Sequence, residues 1–116
     1  MTTPTSPHTA PSWQETEDGR VFAPATARNR DAILAVLTEW CRPGSAVLEI
    51  ASGTGEHAVH FTRHLENVTW QPSDPEPRHR VSIAAWAAHG GSDPARRSPV
   101  PLPPLDIDVT AASWPV

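Results

Sequence analysis

Apolar residues recur at helical spacing in three segments of the chain, 29–41, 56–65 and 76–88. Asn29 is a plausible N-cap for the first helix, and the run Arg42-Pro43-Gly44 is expected to end it. The residues expected on the buried faces are Ile33, Leu34, Leu37, Trp40 and Cys41 in the first helix, Ala58, Phe61, Thr62 and Leu65 in the second, and Val81, Ala84, Ala85 and Ala88 in the third. The pattern therefore predicts three amphipathic helices.

Three short apolar runs alternate with these helices and predict strands at 46–50, 68–71 and 105–109. The first run is apolar at most positions, as in a buried parallel strand, whereas the third alternates strictly, which suits a sheet edge. Helices and strands that alternate along a chain favour a parallel sheet with right-handed crossovers. The predicted fold class is therefore α/β.

Domain boundaries follow from composition. Residues 1–20 lack periodicity and begin with a Thr/Pro/Ser-rich stretch, so they are expected to form a disordered leader, although Trp13 is expected to pack onto the domain. Residues 21–116 are expected to form one cofactor-binding unit. In a doubly wound sheet, strands beyond the third lie on the free side of the first strand. The chain is therefore expected to be the N-terminal half of a longer enzyme, truncated after the third strand, and its exposed central strand offers an edge for oligomerisation.

The clearest chemical signal is segment 48–58, LEIASGTGEHA, which joins the first predicted strand to the second helix. Gly53 and Gly55 permit a tight turn and the close approach of a ligand to the backbone, and Ala58 allows the helix to pack near the strand. The resulting G-x-G-x-x-A pattern opens a helix whose free N–H groups favour a hydrogen-bond acceptor. This pattern alone fits both dinucleotides and S-adenosylmethionine.

Two features favour S-adenosylmethionine: Glu49 lies four residues before Gly53, and an amphipathic helix precedes the first strand, as is typical of methyltransferases. Asp74 follows the second strand, 19 residues after Gly55, where a carboxylate can accept the ribose hydroxyls of either cofactor class. Asp108 ends the third strand, where an adenine contact and a solvated edge position fit equally well. Two alternatives stay open: a fragment of an NAD(P)-binding Rossmann oxidoreductase and an inactive, non-enzymatic remnant.

Composition argues against several other classes. The single cysteine, Cys41, excludes an internal disulfide and a cysteine-cluster zinc site. His57, His60 and His64 share a helical face, but no carboxylate or cysteine completes a set at helical spacing, so no metal is expected. The net charge of −4 disfavours nucleic acid as a partner. Because no apolar run reaches the ~18–20 residues of a membrane span, and the N-terminus lacks the apolar region of a secretory signal, a soluble, cytoplasmic protein is expected.

Four sets of residues share one resemblance. They are FAPA (22–25) with RNRD (28–31), LEIASGTGEHAVHF (48–61), WQPSDP (70–75) and LDIDVT (105–110). Together they resemble the methyltransferase-like 26 family, also catalogued as the bacterial domain of unknown function 938, over about residues 20–116. The loop 89–104 is longer and richer in proline and arginine than is usual in that family.

The resemblance implies a Rossmann-like class I S-adenosylmethionine-dependent methyltransferase. The cofactor-binding residues that it implies are Glu49, Ser52, Gly53 and Gly55 at the methionine and ribose end, Asp74 at the ribose hydroxyls, Asp108 near the adenine, and Arg28 and Asn29 closing over the cofactor. No methyl acceptor carries over from the family, and a small molecule is the favoured acceptor. The second half of the family pattern is absent from the sequence, which leaves the activity of this chain open and its catalytic residues unassigned.

Overall fold

The computed structural model describes residues 13–110, in which three helices alternate with short strands. In chain order the elements are β1 (Gln14–Glu15), β2 (Val21–Phe22), α1 (Pro24–Trp40), β3 (Ala46–Leu48), α2 (Glu56–His64), β4 (Thr69–Gln71) and α3 (Pro77–Gly90). The predicted α/β class is confirmed. Among these helices, none has the length and apolar character needed to cross a membrane.

The strands β3 and β4 form a parallel pair, in which Val47 lies opposite Trp70 and Leu48 lies opposite Gln71. The ladder extends one residue further, because the Glu49 N–H donates to the Gln71 carbonyl at 2.8 Å. Both strands are parts of the runs predicted from the apolar pattern. Their parallel pairing brings their carboxyl ends to the same edge of the sheet, which is where ligands bind in open α/β sheets.

The prediction of a full third strand over 105–109 is wrong. Leu105 forms a parallel bridge with Ser73, but the residues that follow do not extend it into a strand. The Asp108 carboxylate accepts hydrogen bonds from both the N–H and the hydroxyl of Thr110. Such local side-chain bonding offers the backbone an alternative to the sheet ladder, and here it accompanies the end of the pairing.

The core lies between α1, α2 and the parallel strands. Its buried apolar members are Ala58, Phe61, Leu65, Val68 and Trp70, and Ile33, Leu34, Leu37, Cys41 and Val47 pack against them. The inner face predicted for α2 is confirmed, because all four of its residues are buried. Burial of each large apolar side chain contributes roughly 1.5–3 kcal/mol, so this cluster holds the elements that carry the glycine-containing turn.

Two predictions about α1 are wrong. The helix begins at Pro24 and not at Asn29, since proline at the first helical position lacks only an N–H that would have no partner in the helix. Asn29 therefore lies inside the helix and does not cap it. Trp40 belongs to the predicted apolar stripe but is 78% exposed, whereas its neighbour Cys41 packs against the core.

The buried face predicted for α3 is also wrong. Val81 is 61% exposed, whereas Ser82 and Ile83 are fully buried. The helix is rich in alanine, so its faces differ little in hydrophobicity and the apolar pattern carries little information. The contacts that decide its orientation come from elsewhere in the chain, namely the N-terminal hairpin and the turn after β3.

The N-terminal hairpin consists of β1 and β2, which pair antiparallel. It is fastened to α3 by two hydrogen bonds: the Val21 N–H donates to Ser82 Oγ at 2.9 Å, and Trp86 Nε1 donates to the Val21 carbonyl at 2.9 Å. The Arg20 guanidinium lies 5.0 Å from the centre of the Trp86 ring, within the range of a cation–π contact. The predicted leader, residues 1–20, therefore includes most of this hairpin, because β1 and the turn after it lie within residues 14–20. Residues 1–12 lie outside the described residues.

Apolar side chains are exposed on β3 and on α1. Within residues 13–110, β3 pairs only with β4, and its Leu48 is 42% exposed. Val36 and Trp40 on α1 are exposed as well. An apolar strand with an unpaired edge is a surface on which another strand can add.

Candidate functional site

The turn between β3 and α2 has an unusual backbone. Ala51, Gly53 and Gly55 all have positive φ, at 55°, 64° and 92°. For an alanine this conformation costs roughly 1–2 kcal/mol, so the surrounding contacts must hold the turn in place. Strain of this kind clusters at ligand sites.

Ser52 and Ser73 join the ends of the two parallel strands. The Ser52 N–H donates to the Ser73 carbonyl at 2.8 Å, and the Ser73 N–H donates to Ser52 Oγ at 2.9 Å. The Ser73 hydroxyl in turn donates to the Glu49 carbonyl at 2.6 Å. The predicted cofactor residue Ser52 is buried and has a structural role at the strand ends.

Asp74 is buried and connects the glycine turn to the start of α3. Its Oδ2 accepts from the Gly53 N–H at 2.9 Å, and its Oδ1 accepts from the Glu76 N–H at 2.9 Å. Its Oδ1 also lies 3.0 Å from Nδ1 of His79. A carboxylate has about four lone-pair sites, so these contacts leave Asp74 with one free site on Oδ2.

Glu49 directly follows β3 and is half-buried. Its Oε1 accepts a hydrogen bond from Trp70 Nε1 at 3.0 Å. Burial raises the pKa of Glu49; hydrogen bonds from Trp70 and Ser52 oppose this shift, and the charge of Asp74 reinforces it. The two predicted acids, Glu49 and Asp74, are therefore close enough to influence each other electrostatically.

Gly55 is in close contact with α3. A Cβ at this position would lie 2.7 Å from the Cα of Ile83, well inside van der Waals contact. At Gly53, by contrast, a Cβ would have only the Trp13 ring edge within 4.0 Å. The close approach at Gly55 is therefore made by a helix of the protein, while the Cβ position of Gly53 is in van der Waals contact with the Trp13 indole alone.

Two residues that the sequence did not single out fasten the turn. Glu56 Oε1 accepts from the Ala23 N–H at 2.6 Å and from the Thr54 hydroxyl at 2.9 Å, which ties the start of α1 to the turn. Ser82 donates its hydroxyl to the Thr54 carbonyl at 2.6 Å, while accepting from the Val21 N–H of the hairpin. The sequence indicates a role for Glu56 only through its position, because an acid in the first turn of a helix is favoured. No feature of the sequence indicates a role for Ser82.

Three of the predicted cofactor residues are exposed. Arg28 and Asn29 are exposed on α1, where Asn29 Oδ1 lies 3.0 Å from His57 Nε2. Asp108 is exposed, and its hydrogen bonds to Thr110 lower its pKa. Contacts thus join Glu49, Ser52, Gly53 and Asp74 at the strand ends, whereas Asp108 bonds to Thr110 and Asn29 contacts His57 in the first turn of α2.

The three histidines of α2 form local contacts. His60 Nε2 lies 3.1 Å from Asp31 Oδ1, and its ring lies 4.7 Å from that of His64. Burial lowers the pKa of both His57 and His60, which favours their neutral forms. Over residues 13–110 no group of three or more His, Cys, Asp or Glu side chains is arranged to hold a metal ion.

Residues 20–116 match the model of the family described as "Protein of unknown function (DUF938)". The chain belongs to the DUF938 family. The match spans β2 through α3, and therefore includes the glycine turn, Glu49 and Asp74. Family membership, expected from the resemblance, is confirmed, and the family description names no reaction. Comparison with solved structures finds no match.

Proposed function

We propose that this DUF938 protein binds S-adenosylmethionine at the carboxyl ends of β3 and β4, as part of a Rossmann-like class I methyltransferase. The observation that carries the proposal is the 2.9 Å hydrogen bond from the Gly53 N–H to Asp74 Oδ2. It joins the glycine turn after one strand to the acid after the next, the juxtaposition needed to hold a nucleoside beside a turn. Glu49 supplies a second, partly buried acid at the same edge.

When bound, S-adenosylmethionine would supply an electrophilic methyl group: the acceptor's nucleophile would bond to the methyl carbon as the carbon–sulfur bond breaks, and the neutral thioether would leave as S-adenosylhomocysteine. The chain's own contribution is binding and orientation, which is the main source of rate in such in-line transfers. Asp74 would accept a ribose hydroxyl at its free site, and the second hydroxyl requires exchange of one existing contact. His79 is the natural contact to exchange, because it is a partly exposed side chain while the other two donors are backbone N–H groups.

Glu49 would face the amino-acid end of the cofactor. A half-buried carboxyl with a raised pKa gains a counter-charge when a cationic ammonium group binds next to it. Gly53 is less crowded than Gly55, because only the Trp13 ring edge lies within 4.0 Å of a Cβ built there, and a ligand could approach its backbone beside the indole. The acceptor is proposed to be a small molecule, and none of the described residues is assigned a role as base.

Calorimetric titration of the chain with S-adenosylhomocysteine tests this proposal. We expect saturable binding at one site per chain and no comparable binding of NAD⁺. Asp74→Asn should weaken binding of S-adenosylhomocysteine by roughly 10- to 140-fold, since a hydrogen bond to a charged group contributes about 1.5–3 kcal/mol. Asp93→Asn is the matched control, because the hydrogen bonds of the Asp93 carboxylate go to Arg63 and to the Ala95 N–H, and neither residue contacts Asp74.

Circular dichroism and urea unfolding must accompany the titration, because Asp74 also holds the turn. A folded chain that ignores S-adenosylhomocysteine would refute the proposal. Stronger binding of NAD⁺ than of S-adenosylhomocysteine would instead favour an oxidoreductase. Equal affinity of wild type and Asp74→Asn, with both folded, would remove Asp74 from the site.

A further inference from the structure

A cavity of about 410 Å³ lies between the N-terminal hairpin and the start of α3. Its lining combines an indole, an imidazole, a guanidinium, two carboxylates and one valine: Trp13, His79, Arg78, Glu15, Glu76 and Val21. This volume falls within the range of small-molecule sites, and the lining combines two apolar side chains with four polar ones.

Trp13 forms the aromatic wall of this cavity. Its ring centre lies 5.0 Å from that of His79, with an angle of 38° between the planes. Its ring edge lies 4.0 Å from a Cβ built on Gly53, so the indole extends over the glycine turn. Even so, 47% of Trp13 is exposed, which leaves part of its surface available for a ligand.

Trp13 directly precedes the hairpin, which is fastened to the proposed site. The hairpin that follows it is hydrogen-bonded through Val21 to Ser82, and Ser82 is hydrogen-bonded to Thr54 in the glycine turn. The neighbouring His79 contacts Asp74 Oδ1 at 3.0 Å. An unbroken chain of contacts thus runs from the indole through His79 to the acid proposed to hold the ribose.

We infer that Trp13 is the stacking platform for the nucleobase of the ligand, so that an adenine-type base lies against its face in this cavity. The inference rests on the proposed function and extends it to a residue outside the glycine motif. Indole rings stack on any nucleobase. The polar groups of the lining would therefore discriminate between one base and another. Glu15 and Glu76 can accept from an exocyclic amino group, and Arg78 can donate to a ring nitrogen.

Titration of the full chain with S-adenosylhomocysteine, in wild type and in variants at Trp13, tests this inference. Base–aromatic stacking loses about 1–3 kcal/mol on substitution by alanine, so Trp13→Ala should weaken binding by about 5- to 140-fold. Trp13→Phe keeps an aromatic face and should retain most of the affinity. Trp40→Ala is the control, because Trp40 is an exposed tryptophan on α1 and not a member of the cavity lining.

Tryptophan emission provides a second readout that survives if Trp13→Ala fails to fold. Stacking of a base quenches an indole, so wild type and Trp40→Phe should lose emission on saturation, while Trp13→Phe should lose markedly less. Wild type that binds S-adenosylhomocysteine while folded Trp13→Ala binds equally well or more tightly overturns the inference alone. Full quenching in Trp13→Phe does the same. Wild type that does not bind overturns the proposed function, and this inference with it.

Discussion

Replacement of Gly55 by alanine should destabilise the protein more than any comparable change at an exposed turn. Gly55 has a φ of 92° and caps the N-terminus of α2. The new Cβ would lie 2.7 Å from the Cα of Ile83, with two further atoms of that side chain at 3.2 and 3.3 Å. The nearest atom belongs to the backbone of α3, so a change of rotamer cannot relieve the contact.

The expected cost has two parts. A left-handed backbone costs an alanine roughly 1–2 kcal/mol, and overpacking of a tight contact adds about 1–3 kcal/mol. Their sum, roughly 2–5 kcal/mol, is a large fraction of the ~5–15 kcal/mol that stabilises a typical domain. Because α3 must move away from the turn, Asp74 and Ser82 would be displaced together with it.

Gly44→Ala is the matched control for this change. Gly44 has the same φ, 92°, but a Cβ there would have no heavy atom within 4 Å. Both substitutions restrict the unfolded chain equally, so that contribution cancels. Urea unfolding followed by circular dichroism should give a free energy of unfolding about 1–3 kcal/mol lower for Gly55→Ala than for Gly44→Ala. Equal values would show that α3 does not pack on the turn as described.

Two further predictions concern the acid and the edge of β3. Burial raises the pKa of Glu49 above its ordinary value of 4.5, so the folded state favours the protonated carboxyl. The stability that protonated Glu49 contributes is fully present below about pH 4.5 and is lost as the pH rises through the folded-state pKa. Glu49→Gln does not titrate, so the wild type should lose stability relative to this variant as the pH of the urea unfolding series rises from 4.5; a constant difference would contradict this. We also propose that the exposed edge of β3 promotes self-association, and Leu48→Lys should then reduce the concentration dependence of the sedimentation coefficient. A wild type that is monomeric at all concentrations would refute the second prediction.

Helix α2 and the strands beside it could be predicted because local pattern and tertiary packing agree there. Ala58, Phe61 and Leu65 are spaced for one helical face, and the sheet that they cover consists of apolar runs on either side in sequence. The turn between them is dictated by residues with special backbone freedom. Where each local feature points to the same structure, sequence reasoning succeeds.

The orientation of α3 could not be predicted, since it depends on partners distant in sequence. Ser82 is 61 residues from Val21, with which it bonds, and 28 residues from Thr54. A serine in an alanine-rich helix gives no sign that it will be buried by two such contacts. The third strand was predicted wrongly although its local pattern alternates between apolar and polar residues as a strand requires. Within the run 105–109, Leu105 alone forms a bridge, with Ser73 just after β4.

The proposed site has little unused hydrogen-bonding capacity, and this determines how a ligand can bind. Three of the roughly four acceptor sites of Asp74 are filled by Gly53, Glu76 and His79. A ribose diol must therefore exchange contacts, and the net affinity is the difference between bonds gained and bonds released. If ribose binding releases His79 from Asp74, the imidazole still lies beside Trp13. Sugar binding at Asp74 and base stacking on Trp13 would then both depend on the release of His79. Affinity at this site should consequently depend on Asp74 and Trp13 jointly, and the combined variant should lose less than the sum of the two single losses.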